Sequence, residues 1–378
     1  MTSTHDKQKK KLCYTIITTE VLIKSFHLSR MYFSGNSKIR SERFENFQTS
    51  RMASKCKAHS FHIGPSSLQM KWNRDTKPAL TVPSGSEISF DLLDGGNNQI
   101  TANSTLADIS RFRADLADPI FGPVYVSDAE PGDVLKVEFL DLQPADYAWT
   151  ALGFGYGVIA EDFPHPWLKI WDLGPEAMAR GWTVFKPGIE IPIRPFLGVV
   201  GVAPGEEGEF STIPPRGIGG NIDCKYITRG STLYLPVKVE GALFSCGDGH
   251  GAQGDGEVGG CAMECPMKAR VRLTVEKNMP WVQSPQYLTN PESLRQAEVL
   301  SKGEYACLGI DSDLFEASRK ACREMIDWLV GTKSLNKEEA CCLISVAGDL
   351  KIVEAVDMPN HAVAVSMPLS IFVGPKHQ

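Results

Sequence analysis

Fifteen residues from Cys246 to Gly260, CGDGHGAQGDGEVGG, hold seven glycines, and no other stretch restricts the fold of this chain as strongly. Glycine reaches positive φ and lets backbones approach closely at a conformational cost, so a run this dense signals unusual geometry. Between the glycines stand three carboxylates (Asp248, Asp255, Glu257), the imidazole of His250 and the amide of Gln253. These side chains bind hard or borderline metals and move protons. The competing reading is a glycine-rich hairpin with solvated acids, because glycine runs mark loops more often than sites.

The surrounding sequence reads as strands. Ile88, Phe90 and Leu92 alternate with polar residues, as do Leu135, Val137 and Phe139, and Ala269, Val271, Leu273 and Val275. Period-2 alternation marks strands with one buried face. Residues 232–239 follow the same pattern but contain Pro236, which predicts an edge position or a bulge. The glycine run is then expected as the connection between strands 232–239 and 268–276. Asp94-Gly95-Gly96-Asn97, Glu130-Pro131-Gly132-Asp133 and Ala203-Pro204-Gly205-Glu206 read as turns. Only near the C-terminus does the period change. Leu314, Ala317, Ala321, Cys322, Met325 and Leu329 predict a helix over 313–331, and Asn336 with Glu339 forms a capping-box start for a second one. The expected class is mainly β, a β-rich body with a small C-terminal helical segment.

Charge divides the chain. Residues 1–57 carry twelve Lys/Arg against four acids, a net +8, which leaves −14 on residues 58–378. The leader lacks sustained periodicity and is read as lying outside the folded body, with residues 58–378 as the domain. An acidic body does not match a nucleic-acid binder, whose footprint is a basic face. The apolar stretch 12–23 contains Glu20 and is too short to cross a bilayer, and no secretory cleavage site follows it. A cytoplasmic protein with no membrane association is expected. For such a compartment the ten cysteines are weak grounds for disulfides.

Asp223, closing the turn Gly219-Gly220-Asn221-Ile222-Asp223, joins Asp248 and His250 as a candidate divalent-metal site. Its nitrogen and oxygen donors suit zinc. Glu257 is the candidate proton carrier, Asp255 the candidate acceptor that orients His250, and Gln253 or loop amides candidate oxyanion donors. Two rival chemistries use the same segment. Cys246, His250, Cys261 and Cys265 have the spacing C-x3-H-x10-C-x3-C, which superficially resembles structural zinc, and the glycine/aspartate loop could hold calcium or an anion nest. The chain has no G-x-S-x-G elbow and no Walker or dinucleotide fingerprint.

Many longer motifs, in order, resemble the acetamidase/formamidase family. They include Gly122-Pro123-Val124-Tyr125-Val126, Leu168-Lys169-Ile170-Trp171, Pro195-Phe196-Leu197-Gly198, Phe210-Ser211-Thr212-Ile213-Pro214-Pro215, the GGNID turn, GDGHGAQGDGEV at 247–258 and Ser345-Val346-Ala347-Gly348-Asp349-Leu350. The resemblance implies a β-sandwich-like fold, a homo-oligomer, and hydrolysis of formamide- or acetamide-class amides to acid and ammonia. It adds Glu264 to the site residues Asp223, Asp248, His250, Gln253, Asp255 and Glu257. This chain departs from the family pattern at Gln69 and Tyr226, where members carry histidines, and at Asn73. These departures raise the alternative of a weakened or inactive paralogue that binds a small ligand or serves in an assembly.

Overall fold

The four alternating runs become neighbouring strands of one sheet. The computed structural model describes residues 61–290, 302–356 and 358–374; the expectations for residues 1–57 lie outside them. Among the described residues, one six-stranded sheet has the order Phe61–Ile63, Ser86–Leu92, Met267–Glu276, Val134–Pro144, Thr232–Pro236, Gln286–Leu288. The first pair is parallel and the others antiparallel. The anticipated 232–239 strand ends at Pro236. That residue pairs with Val134 on one side, while on the other the short outer strand reaches only Thr232–Tyr234. A residue without an N–H is tolerated where the outer ladder has already stopped.

The second sheet runs Gly219–Asn221, Phe196–Gly201, Phe244–His250, Ile120–Val126, Leu68–Gln69, with Leu80–Val82 pairing in parallel to Ile120–Val126. Its inner face shares one buried apolar cluster with the first sheet, including Phe90, Leu135, Val271, Phe121, Val199 and Phe244. The rings of Phe90 and Phe244 meet edge to face at 6.1 Å between centroids. The fold is mainly β, as the alternation indicates.

One expectation needs correction. The first part of the glycine run is not a connection but a central strand, Phe244–His250, buried along its whole length. A Cβ on Gly247 would run into the Pro119 carbonyl oxygen, and one on Gly249 would lie 2.6 Å from that of Cys265. The glycines sit where other backbone crosses, leaving Asp248 and His250 to carry the chemistry.

Only the remainder of the run, residues 251–260, is a loop, and the C-terminal unit braces it. The helix Leu314–Lys333 is capped by Asp313, whose side chain accepts from the Phe315 and Glu316 amides. It lies against a three-stranded sheet of Glu304–Asp311, His361–Pro368 and Asp349–Glu354. Lys337–Ala347 starts with the anticipated Asn336/Glu339 capping box. From its last turn Ser345 accepts Gly254 N at 2.8 Å through its carbonyl and Gly259 N at 3.1 Å through its hydroxyl. That hydroxyl donates to the Cys261 carbonyl at 2.8 Å, and Leu350 N donates to the Asp255 carbonyl at 2.9 Å. Among the described residues no helix is long and apolar enough to cross a membrane.

Overpacking a tight interior costs about 1–3 kcal/mol. Gly249→Ala should therefore lower unfolding stability by roughly that amount. Gly331→Ala, inside the C-terminal helix with open space around the new methyl, should raise stability by about 0.5–1 kcal/mol. Denaturant midpoints of the two variants check the pair.

Candidate active site

The strand Phe244–His250 brings Asp248 and His250 beneath a cavity of about 200 Å3. Asp223 enters from the GGNID turn, where Ile222 N and Asp223 N both donate to the Gly198 carbonyl, at 3.0 and 3.3 Å. Glu264 returns on the limb after the loop and bridges to both His250 and Trp149. Gly198 makes this convergence possible. A Cβ there would strike Asp248 Oδ2 and lie 2.5 Å from Asp223 Oδ1 and 2.9 Å from His250 Cε1.

His250 Nε2 lies 3.1 Å from Asp248 Oδ1 and 3.1 Å from Glu264 Oε2; its Nδ1 is 4.0 Å from Asp223 Oδ1. Despite that proximity, Asp223 Oδ1, Asp248 Oδ1, Glu264 Oε2 and His250 Nδ1 are buried without a hydrogen-bond partner. Orphaned polar atoms in an interior are costly. A divalent cation lowers the cost, because it accepts lone pairs from several such atoms at once. Asp223, Asp248 and His250 can converge on one ion, as can His250, Glu257 and Glu264. The donor set of imidazole and carboxylates therefore fits a divalent metal.

Electrostatics gives the same answer. Burial pushes Asp223 up to about 7, partly offset by the His250 charge, and pushes Glu264 up to about 8. Burial and then the Asp223 charge hold Glu257 well above the carboxylate range. For Asp248 burial also acts upward, but the charge of His250 helps to outweigh it and leaves the group low. Burial works to lower His250, and the Asp248 and Glu264 charges raise it well above its ordinary value. Without a cation, burial makes Asp118, Asp223, Glu257 and Glu264 hold their protons to higher pH than ordinary carboxylates, while Asp248 stays ionised beside His250.

Two acids of this site escaped the sequence reading. Asp118 lines the cavity in a left-handed conformation and is raised by burial and by the Asp248 charge. Asp94 is fully buried, accepts from Trp149 Nε1 at 3.0 Å and from Asn98 N at 2.8 Å, and is raised by burial to about 6. It belongs to a tetrapeptide read only as a turn. The Asp-Gly-Gly signal was present, since Gly95 passes so close to Asp248 and Glu264 that a Cβ would clash with the first.

Other expected residues are placed elsewhere. Asp255 does not orient His250: it accepts from the Tyr226 hydroxyl at 2.7 Å and faces Lys225 at 3.5 Å, while Lys225 also binds Asp349. Asp255 and Glu257 would share a face only in an extended chain, and Gly256 (φ 86°) and Glu257 (φ 39°) turn it. Gln253 does not line the cavity; its amide donates to the Asp223 carbonyl at 2.8 Å. Cys246, Cys261 and Cys265 are buried thiols raised by burial, and neither metal-capable group includes them. Gln69 and Tyr226 do not line the cavity either.

The acetamidase/formamidase family model matches residues 58–209 and 206–373. The chain belongs to the acetamidase/formamidase family. An acetamidase of Mycolicibacterium smegmatis is 27% identical over 332 residues, covering 68% of this chain and 80% of the relative. A formamidase of Methylophilus methylotrophus is 24% identical over 368 residues, covering 81% and 89%. The solved gamma lactamase of Delftia acidovorans shares the fold at a TM-score of 0.74, with 24% identity over 82% of this chain and 91% of that one.

The raised acids of this acetamidase/formamidase family member set a pH dependence. Asp94, Asp223 and Glu264 titrate near 6, 7 and 8 when folded, against 3.8 and 4.5 ordinarily, so the folded chain holds more protons than the unfolded one. Stability of the cation-free protein must then fall as pH climbs from about 4 to about 8. His250, also raised, adds to the fall above pH 6.5, and Asp248, held low, acts only below 3.8. Denaturant midpoints of chelator-treated protein at pH 5, 6, 7 and 8 should decline in order, and excess zinc should flatten the series. A rise with pH would contradict the assignment.

Proposed function

We propose that this chain hydrolyses linear primary amides of the formamide or acetamide class to a carboxylic acid and ammonia. The observation that carries the reading is the convergence of Asp223, Asp248, His250 and Glu264, with orphaned ligand atoms, in the cavity of a member of this family. Asp223, Asp248 and His250 would hold the metal; the imidazole among carboxylates favours zinc over calcium. When bound, a divalent cation supplies carbonyl polarisation and a more acidic water.

The chain's own residues do the rest. Glu257 lines the cavity beside the imidazole and is the candidate base. A divalent charge nearby opposes the burial that keeps it protonated and favours the carboxylate. It then takes a proton from the attacking water and returns it to the departing amine, so that water and amide become acid and ammonia. Glu264, fixed by Ala262 N at 2.9 Å on one oxygen, places the other 3.1 Å from His250 Nε2. Gln253 acts through Asp223, whose carbonyl it ties down. The weakened-paralogue reading rests on Gln69, Asn73 and Tyr226. Gln69 and Tyr226 lie off the cavity lining and Asn73 accepts from Asp75 N, which favours the hydrolase. The same proposal takes residues 58–378 as the catalytic body of a cytoplasmic homo-oligomer, which light scattering and fractionation would read.

Glu257→Gln preserves shape and hydrogen bonding but cannot take up a proton. Folding and bound metal should stay near wild type, while ammonia release from formamide and acetamide falls roughly 10²–10⁴-fold. Unchanged turnover would assign the base to Glu264 or Asp118 instead.

A further inference from the structure

The cavity has two unlike sides. One group of lining residues is acidic; the other is Phe112, Trp149, Phe154, Tyr156 and Ile213, with no charged side chain among them, and it runs from the buried Trp149 out to Tyr156. Phe112 and Phe154 are half-buried with ring centroids 4.5 Å apart, and Trp149 stands edge-on to Phe154 at 6.4 Å and 84°. The hydrogen bond from Trp149 to Asp94 fixes the indole, so this wall is preformed. Tyr156 closes it at the surface, still 46% exposed.

Size makes the wall informative. A dry cavity of about 150 Å3 is enough to take benzene. The 200 Å3 here exceeds that. Formamide brings no carbon chain to the aromatic wall, and acetamide brings one methyl. A carboxamide on a ring-sized apolar group reaches the acidic side and covers the wall together. Burying apolar surface is worth about fourfold in affinity per methylene.

We infer that this aromatic side is an acyl pocket that extends the substrate range beyond formamide and acetamide, so that among primary amides those with a ring-sized apolar acyl group are preferred, an inference that rests on the hydrolase reading. Methanesulfonamide and benzylsulfonamide carry one head group and are not hydrolysed as amides, so calorimetry on the full-length, zinc-loaded protein isolates the side-group preference. The benzyl compound should bind at least about thirtyfold tighter, a conservative share of the buried ring. In Phe154→Ala that contrast should shrink at least fivefold, with Phe154→Leu, which keeps the core apolar, falling between. Equal affinities, no binding by either compound, or a contrast untouched in both variants would overturn the acyl pocket. Ammonia release from phenylacetamide and formamide separates the two claims. Release from neither, with the binding contrast intact, would end the hydrolase reading and leave the pocket standing. Release from formamide without a phenylacetamide preference or a binding contrast would end the pocket alone.

Discussion

Five carboxylates and one imidazole line a cavity of about 200 Å3, and the repulsion among those acids governs everything around them. Charges withdrawn from water either find a counter-charge or give up their ionisation. Here one imidazole cannot neutralise Asp118, Asp223, Asp248, Glu257 and Glu264. The cluster therefore exists in two conditions, proton-filled or cation-filled. The unpartnered oxygens and the unpartnered Nδ1 are the donors that a cation would use.

The fold supplies what such a cluster needs, namely backbone brought close and held there. Gly198 and Gly95 let two main chains pass beneath the carboxylates, and Gly247 and Gly249 let other backbone cross the strand that carries Asp248 and His250. The loop that follows has little apolar content of its own. It is held by Ser345 and Leu350, which tie it to the C-terminal helix and strand. The helical segment is thus part of the site's support, although it contributes no acid to the cavity lining.

Much of this was legible in the residues. Alternation located the strands Ser86–Leu92, Val134–Pro144 and Met267–Glu276, because each has one buried face and the register shift opposite Arg270 and Val271 falls just past the Leu135–Phe139 alternation. The Asn336/Glu339 pair located a helix start because the capping box is purely local. The buried strand Phe244–His250 was hidden, since a strand covered on both sides by backbone shows glycines where alternation would otherwise show apolar residues. Asp94 read as a turn former, which it also is, through its bond to Asn98 N. Asp118 gave no local signal because only tertiary closure brings it to the cavity. Asp255 misled because Gly256 and Glu257 both take positive φ, and the chain turns there so that Glu257 lines the cavity while Asp255 does not.

The central claim is that oxygen and imidazole ligands hold a divalent cation in this cavity. Elemental analysis of the protein after equilibrium dialysis against zinc tests it most directly, comparing wild type, His250→Ala and the Cys246→Ser/Cys261→Ser/Cys265→Ser triple variant. The account predicts bound zinc in the wild type, near-wild-type zinc in the triple variant, and a marked loss in His250→Ala. Zinc lost with the cysteines and retained in His250→Ala, or no zinc bound by the wild type, would contradict it.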